Sequence, residues 1–205
     1  MSALLEMPVK AESEIPEYTH DPVHWTVDEF CEMLALPKFQ DRKYILIDGE
    51  IIKMGRPNPP HEGTMSIVDY FLKALFGVGY VVRVNSGFRL GFETEPIPDI
   101  AVVTGSPRDY ATRHPETGIL FVEIADSSLA LDLRVKSHLY AAAKVPEYWV
   151  IDVNSKRLHL HRDPVADSDA PRGFRYASVQ VLTADDSFAP LAFPEKTVRV
   201  ADLLP

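Results

Sequence analysis

The pattern of apolar and polar positions divides the chain into short strands and a few amphipathic helices. In YILIDGEIIKM, residues 44–54, two apolar runs flank Asp48-Gly49, and such a pair between β-prone runs is a strong hairpin signal. Thr26 followed three residues later by Glu29 makes a capping box, which starts a short helix through TVDEFCEMLAL. RPNPP then breaks the chain. From His61 to Phe76 the period is helical, with His61, Met65, Val68, Leu72 and Leu75 on one stripe. YVVRVN, FRLGF and PDIAVV follow as strand candidates. After them come the strand ILFVEIA, a helix from about Leu131 to Lys144 and the strand EYWVIDV. RLHLHR and RYASVQVL read as an antiparallel finish, joined by the loop DPVADSDAPRG.

This order predicts an α/β (α+β) domain, a mixed sheet flanked by helices. The strand–helix–strand unit 119–153 should be a right-handed crossover with its two strands parallel. Residues 1–25, rich in Pro, Glu and His and without a period, read as a partly flexible arm that packs at its end through Trp25. One domain over 26–205 follows, since 205 residues suit a single core. A hydrophobic fraction of 46% fits a folded globule. No run of about 18 apolar residues is present, so no membrane span is expected. The N-terminus lacks a signal-peptide apolar region. With a single cysteine, Cys31, the chain has no internal disulfide and suits a reducing, cytoplasmic location. The net charge of -9 argues against indiscriminate nucleic-acid binding, unless basic residues cluster at one site.

The candidate chemistry lies in two of the strands. Side chains alternate along a strand, so in ILFVEIA the residues Ile119, Phe121, Glu123 and Ala125 share a face. In PDIAVV the shared face carries Asp99, Ala101 and Val103. If these strands are neighbours, Asp99 and Glu123 converge above a floor of small residues. Two close carboxylates repel unless a proton or a cation intervenes, and hard oxygen ligands suit Mg²⁺ or Mn²⁺. Such an ion activates water and stabilises charge on a phosphodiester. Plainer roles stand beside this one. Asp99 after Pro98 also suits a strand start, and a buried ion pair with Arg or Lys would account for Glu123.

PDIAVV, FVEIADSS, DLRVKSHLYAAAKVPEYWVID and YILIDGEIIKM together resemble the Uma-two family of restriction-type endonucleases, within the PD-(D/E)XK nuclease superfamily. The resemblance covers roughly residues 26 to 205. It implies a restriction-endonuclease-like fold with a metal-dependent phosphodiesterase site, in which Asp99 supplies one metal ligand and Glu123 the second. The superfamily usually places a lysine two residues after that glutamate, where this chain has Ala125. The family resembled here commonly carries the lysine on the following helix, and Lys136 matches that position. Leu133, Lys136, Tyr140 and Ala143 form one helical stripe, so Lys136 can face inward; the alternative is a lysine that snorkels at the helix edge. His61 follows the Pro-rich turn, as a histidine does in the family. It is a candidate to touch a phosphate or metal-bound water, or to pack structurally. Glu50 resembles a recurrent family acid and is a third candidate ligand, or a residue that shapes its turn.

Three functions are therefore in competition; one of them, a plain structural or assembly module, would leave Glu123 without a role. Another is a Mg²⁺- or Mn²⁺-dependent endonuclease acting on DNA with a migrated catalytic lysine. It would work as a homodimer, because cutting both strands of a duplex needs two sites. The third is a degenerate nuclease fold that binds nucleic acid or a protein partner without cutting; Ala125 and the net charge favour it. His159 and His161, two apart in RLHLHR, could share a metal, but no third ligand is evident.

Overall fold

In the computed structural model of the chain, residues 23–205 are described, so most of the expected arm lies outside them. At its end, the Trp25 N–H donates to Gly49 O at 2.9 Å, and the Trp25 ring packs on a small cluster of Val27, Phe30 and Leu46. Helix α1 (Val27–Leu34) starts with the capping box of Thr26 and Glu29. The hairpin β1 (Tyr44–Ile47) and β2 (Glu50–Lys53) turns on Asp48 and Gly49. Both turn residues have positive φ, 50° and 77°, the conformation that an Asp-Gly pair adopts most readily. A Cβ on Gly49 would also stand 2.7 Å from the His24 side chain, so only glycine fits there.

Helix α2 (Pro59–Phe76) is capped by the Asn58 side chain, with prolines in its first turn and Gly77 at its end. That is the placement these residues favour. Strands β3 (Tyr80–Val84), β4 (Ile100–Thr104), β5 (Leu120–Ala125), β6 (Glu147–Asp152), β7 (Arg157–Ala166) and β8 (Phe174–Thr183) form one sheet in that order. Only β5 and β6 are parallel, joined by a helical connection as a parallel pair requires. Short strands β9 (Ser187–Phe188) and β10 (Val198–Arg199) pair near the C-terminus.

Alternation along the strands splits the core in two. Ile100, Val102, Leu120, Val122, Ile124, Trp149 and Ile151 point to one face and meet Val68, Leu72 and Phe76 of α2. Ala101, Val103, Phe121, Ala125, Tyr148 and Val150 point to the other, beneath the β1–β2 hairpin and the helices that follow β5. FRLGF departs from the expected strand. Phe88 to Phe92 lie in an irregular excursion, where the Phe88 N–H donates to Pro96 O and the Leu90 N–H to Thr94 O. Leu46 exchanges backbone bonds with Glu95, which ties this segment to the hairpin. Gly87, Gly91, Pro96 and Pro98 interrupt it, as such residues do to a strand.

Candidate active site

The helical connection after β5 begins as α3 (Leu129–Leu131), widens into a π-helical turn over Asp132–Lys136 and continues as α4 (Ser137–Ala142). The Ser137 N–H donates to Asp132 O, the i+5 bond of a π-turn, a feature often found at functional sites. The Tyr148 hydroxyl donates to the same carbonyl at 3.1 Å. Ser128 Oγ donates to Asp132 Oδ2 at 2.5 Å. Asp132 and Lys136 are thus held from both ends, and both are buried.

Lys136 Nζ lies 2.9 Å from Glu123 Oε2 and 2.9 Å from Asp132 Oδ1, with all three side chains at most 2% exposed. The Tyr140 hydroxyl donates to Glu123 Oε1 at 2.7 Å. The helical stripe expected from the sequence thus delivers both the ammonium and the phenol to one carboxylate. On the neighbouring strand the register pairs Ile100 with Val122, which sets Asp99, just before β4, opposite Glu123 across the two strands. Asp99 Oδ2 accepts the Ile124 N–H at 2.8 Å and lies 3.2 Å from His61 Nε2. His61, in the first turn of α2, has its Nδ1 buried without a partner.

Asp99 and His61 open onto a cleft that Lys43, Arg56, Asn58 and Asp126 also line. Asn58 Nδ2 donates to Asp126 Oδ2 at 2.7 Å, and Asn154 Nδ2 to Asp126 O at 2.7 Å. Glu50 lies elsewhere: it is exposed at the start of β2 and outside the cleft lining. Ala125 is fully buried on the face of Glu123. His161 is buried against the rings of Tyr148 and Tyr176, and burial pushes its pKa down to about 4. It packs as a neutral aromatic ring.

The electrostatics are unbalanced. Burial pushes the Glu123 carboxyl up to about 8; Lys136 works against the shift, and Asp99 and Asp132 add to it. Burial disfavours the Lys136 ammonium, but Glu123 and Asp132 outweigh it and raise the group. Burial also works to raise Asp99, yet the His61 bond, the Ile124 amide and Lys136 hold it below the usual carboxylate range. The bond to Asp99 raises His61, against desolvation. Three carboxyl groups therefore gather around one ammonium and one imidazole. A proton on Glu123 reduces the excess, and a divalent cation would reduce it further.

Among the described residues no three His, Cys, Asp or Glu side chains stand ready as a metal cage. The carboxylates of Asp99 and Glu123 have the hard-oxygen donor chemistry that Mg²⁺ or Mn²⁺ takes. Each carboxylate offers further lone pairs beyond its present bonds, and Mg²⁺ is usually held by one or two carboxylates with waters and phosphate completing the shell.

A six-stranded mixed sheet with helices on both faces is a nuclease-like α/β fold. The chain belongs to the Uma2 family, described as "Putative restriction endonuclease", whose model matches residues 27–201. Its fold is similar to that of a solved protein from Anabaena variabilis, described as a "putative nuclease belonging to DUF820". The TM-score is 0.65 at 17% identity, over 87% of this chain and 97% of that one. No protein of curated function matches.

Proposed function

We propose that the protein is a divalent-metal-dependent endonuclease that hydrolyses DNA phosphodiester bonds, with Lys136 as the lysine of the site. The observation that supports this reading is the position of Asp99 opposite Glu123 across adjacent strands, with the Lys136 ammonium on Glu123. The family description supports a nuclease acting on nucleic acid.

A bound Mg²⁺ or Mn²⁺ supplies an activated water and charge neutralisation at the phosphate. Asp99 and Glu123 would hold that ion. His61 and the Ile124 amide fix the Asp99 carboxylate, and Tyr140 fixes that of Glu123. Lys136 is kept charged by its two carboxylates, which suits a cation that stabilises growing charge on the phosphate better than a general base. Lys43 and Arg56 supply positive charge at the cleft for the DNA backbone, which dominates such binding. Cutting both strands of a duplex calls for two sites, hence a homodimer.

The test is incubation of supercoiled plasmid, single-stranded DNA and RNA with Mg²⁺, Mn²⁺ or chelator. Metal-dependent nicking or linearisation of plasmid that Asp99→Asn removes is the expected result. Cleavage that survives Asp99→Asn would assign the activity to other residues. The degenerate-fold reading draws on one observation, that Lys136 is 2% exposed and engaged by two carboxylates. It predicts binding without cleavage in every condition of the same assay.

A further inference from the structure

One ammonium stands between two buried carboxylates, and it does not engage them equally. Lys136 Nζ is 2.9 Å from Glu123 Oε2 and 2.9 Å from Asp132 Oδ1. Its hydrogen bond goes to Glu123, whose other oxygen accepts from the Tyr140 hydroxyl. On Asp132, Oδ2 accepts from Ser128 Oγ. Oδ1 is buried and accepts no hydrogen bond, although the ammonium lies beside it. Buried acceptors are normally satisfied, so an open one calls for an explanation. Among the described residues, Lys136 is the only cation within ion-pair distance of either carboxylate. The two partners also differ in freedom. The Asp132 carbonyl is bonded by the Ser137 N–H and the Tyr148 hydroxyl, which fixes the main chain at the π-turn. Lys136 carries its charge on a flexible four-carbon stem, so a turn of its ammonium is enough to complete the bond to Oδ1.

We propose that Asp132 is a positioning residue for Lys136: with Glu123 engaged by a divalent cation, the ammonium turns onto the open Oδ1 of Asp132 and stays beside the cluster. A cation on Glu123 repels an ammonium that shares the same carboxylate. Without Asp132, lysine and metal compete for Glu123. With it, the lysine has a second carboxylate one helical turn away, and the competition is relieved. This role rests on the nuclease reading and goes beyond keeping the lysine charged. It also differs from that of a metal ligand, because Asp132 then acts only through Lys136.

The experiment is calorimetric titration of Mn²⁺ into the metal-free full chain at one pH, for the wild type, Asp132→Asn, Lys136→Met and Lys136→Met/Asp132→Asn. Circular dichroism checks each fold. Asp132→Asn should weaken Mn²⁺ binding about tenfold when Lys136 is present and at most about twofold in the Lys136→Met background, the coupling expected of two residues that act as one unit. Equal weakening in both backgrounds overturns the proposal, since Asp132 then acts on the ion directly. So does unchanged binding in Asp132→Asn, and either result leaves the nuclease reading standing. A wild type that binds no Mn²⁺ removes both. A crystal structure of the wild-type Mn²⁺ complex gives a second reading that needs no variant. The expected result is Lys136 Nζ hydrogen-bonded to Asp132 Oδ1 and no longer to Glu123; an ammonium still bonded to Glu123 overturns the proposal.

Discussion

Two glutamates are buried in adjacent strands of this sheet, and they are furnished in opposite ways. Glu147, at the start of β6, is 1% exposed. Its Oε1 accepts from Arg162 Nε at 2.9 Å and Nη2 at 2.6 Å, and its Oε2 accepts the Leu191 N–H at 2.9 Å. One carboxylate meets one guanidinium and the remaining acceptor is filled. Glu123, in the middle of β5, shares a single ammonium with Asp132 and stands opposite Asp99. The first arrangement is balanced and closed, as a buried ion pair must be to persist. The second holds more negative than positive charge, an excess that a proton on Glu123 can relieve and that under the proposed function a divalent cation would. A buried carboxylate alone does not mark a site; a carboxylate whose partners fail to neutralise it does.

The comparison breaks most sharply under substitution. Asp99→Asn and Glu123→Gln should each abolish metal-dependent cleavage while the apo protein keeps its fold, as seen in plasmid assays beside thermal melts. Glu147→Ala should do the reverse. It strands the Arg162 charge and should cost about 3–5 kcal/mol, which lowers the melting temperature by roughly 10 °C for a domain of this size. Activity per folded molecule should hold. Equal loss of activity in Glu147→Ala and Glu123→Gln, measured on folded protein, would erase the distinction.

Lys136→Ala should lower turnover by about 10²-fold, the scale of removing one pre-placed charge stabiliser. In Lys136→Ala/Ala125→Lys, the superfamily's usual placement should recover part of that loss. A single variant that keeps full turnover would reduce Lys136 to a neutraliser of buried charge.

A smaller effect separates the two glutamates by pH. The Glu123 carboxyl stands at about 8 in the fold against 4.5 for a free side chain. The folded state therefore binds its proton more tightly. That contribution to stability is complete below about pH 4.5 and is lost as pH rises through 8. The apo wild type should thus lose melting temperature between pH 5 and 8 relative to Glu123→Gln, which lacks the titrating group. Parallel curves for the two proteins would show that Glu123 is ionised throughout.

Much of this was legible in the sequence because two simple periods carry it. Alternation predicted Asp99 with Ala101 and Glu123 with Ala125 on shared faces, and the adjacency of the two strands on which their meeting depended is what the sheet supplies. The stripe of Leu133, Lys136 and Tyr140 turned two polar groups inward, and the structure brings both onto Glu123. The role of Asp132 was not legible. It lies one helical turn before Lys136, but the π-turn that holds the pair is a local widening no periodicity announces. Asp126 was passed over because nothing local reveals that Asn58 and Asn154, distant in sequence, fix it in the cleft wall. Glu147 follows Pro146 and reads as a polar strand entrance; its burial depends on Arg162 and Leu191 arriving from other segments. FRLGF has the composition of a strand, but its bonds go to a glycine- and proline-interrupted excursion and to the first hairpin.

The central claim is that the unbalanced carboxyl cluster accepts a divalent cation. Calorimetric titration of Mg²⁺ or Mn²⁺ into the apo protein at pH 7, in two buffers of different ionisation enthalpy, tests it most directly. The account predicts binding with release of a proton, since the ion displaces the one on Glu123, and loss of that binding in both Asp99→Asn and Glu123→Gln. Binding that takes no proton with it, or that persists unchanged in both variants, would contradict it.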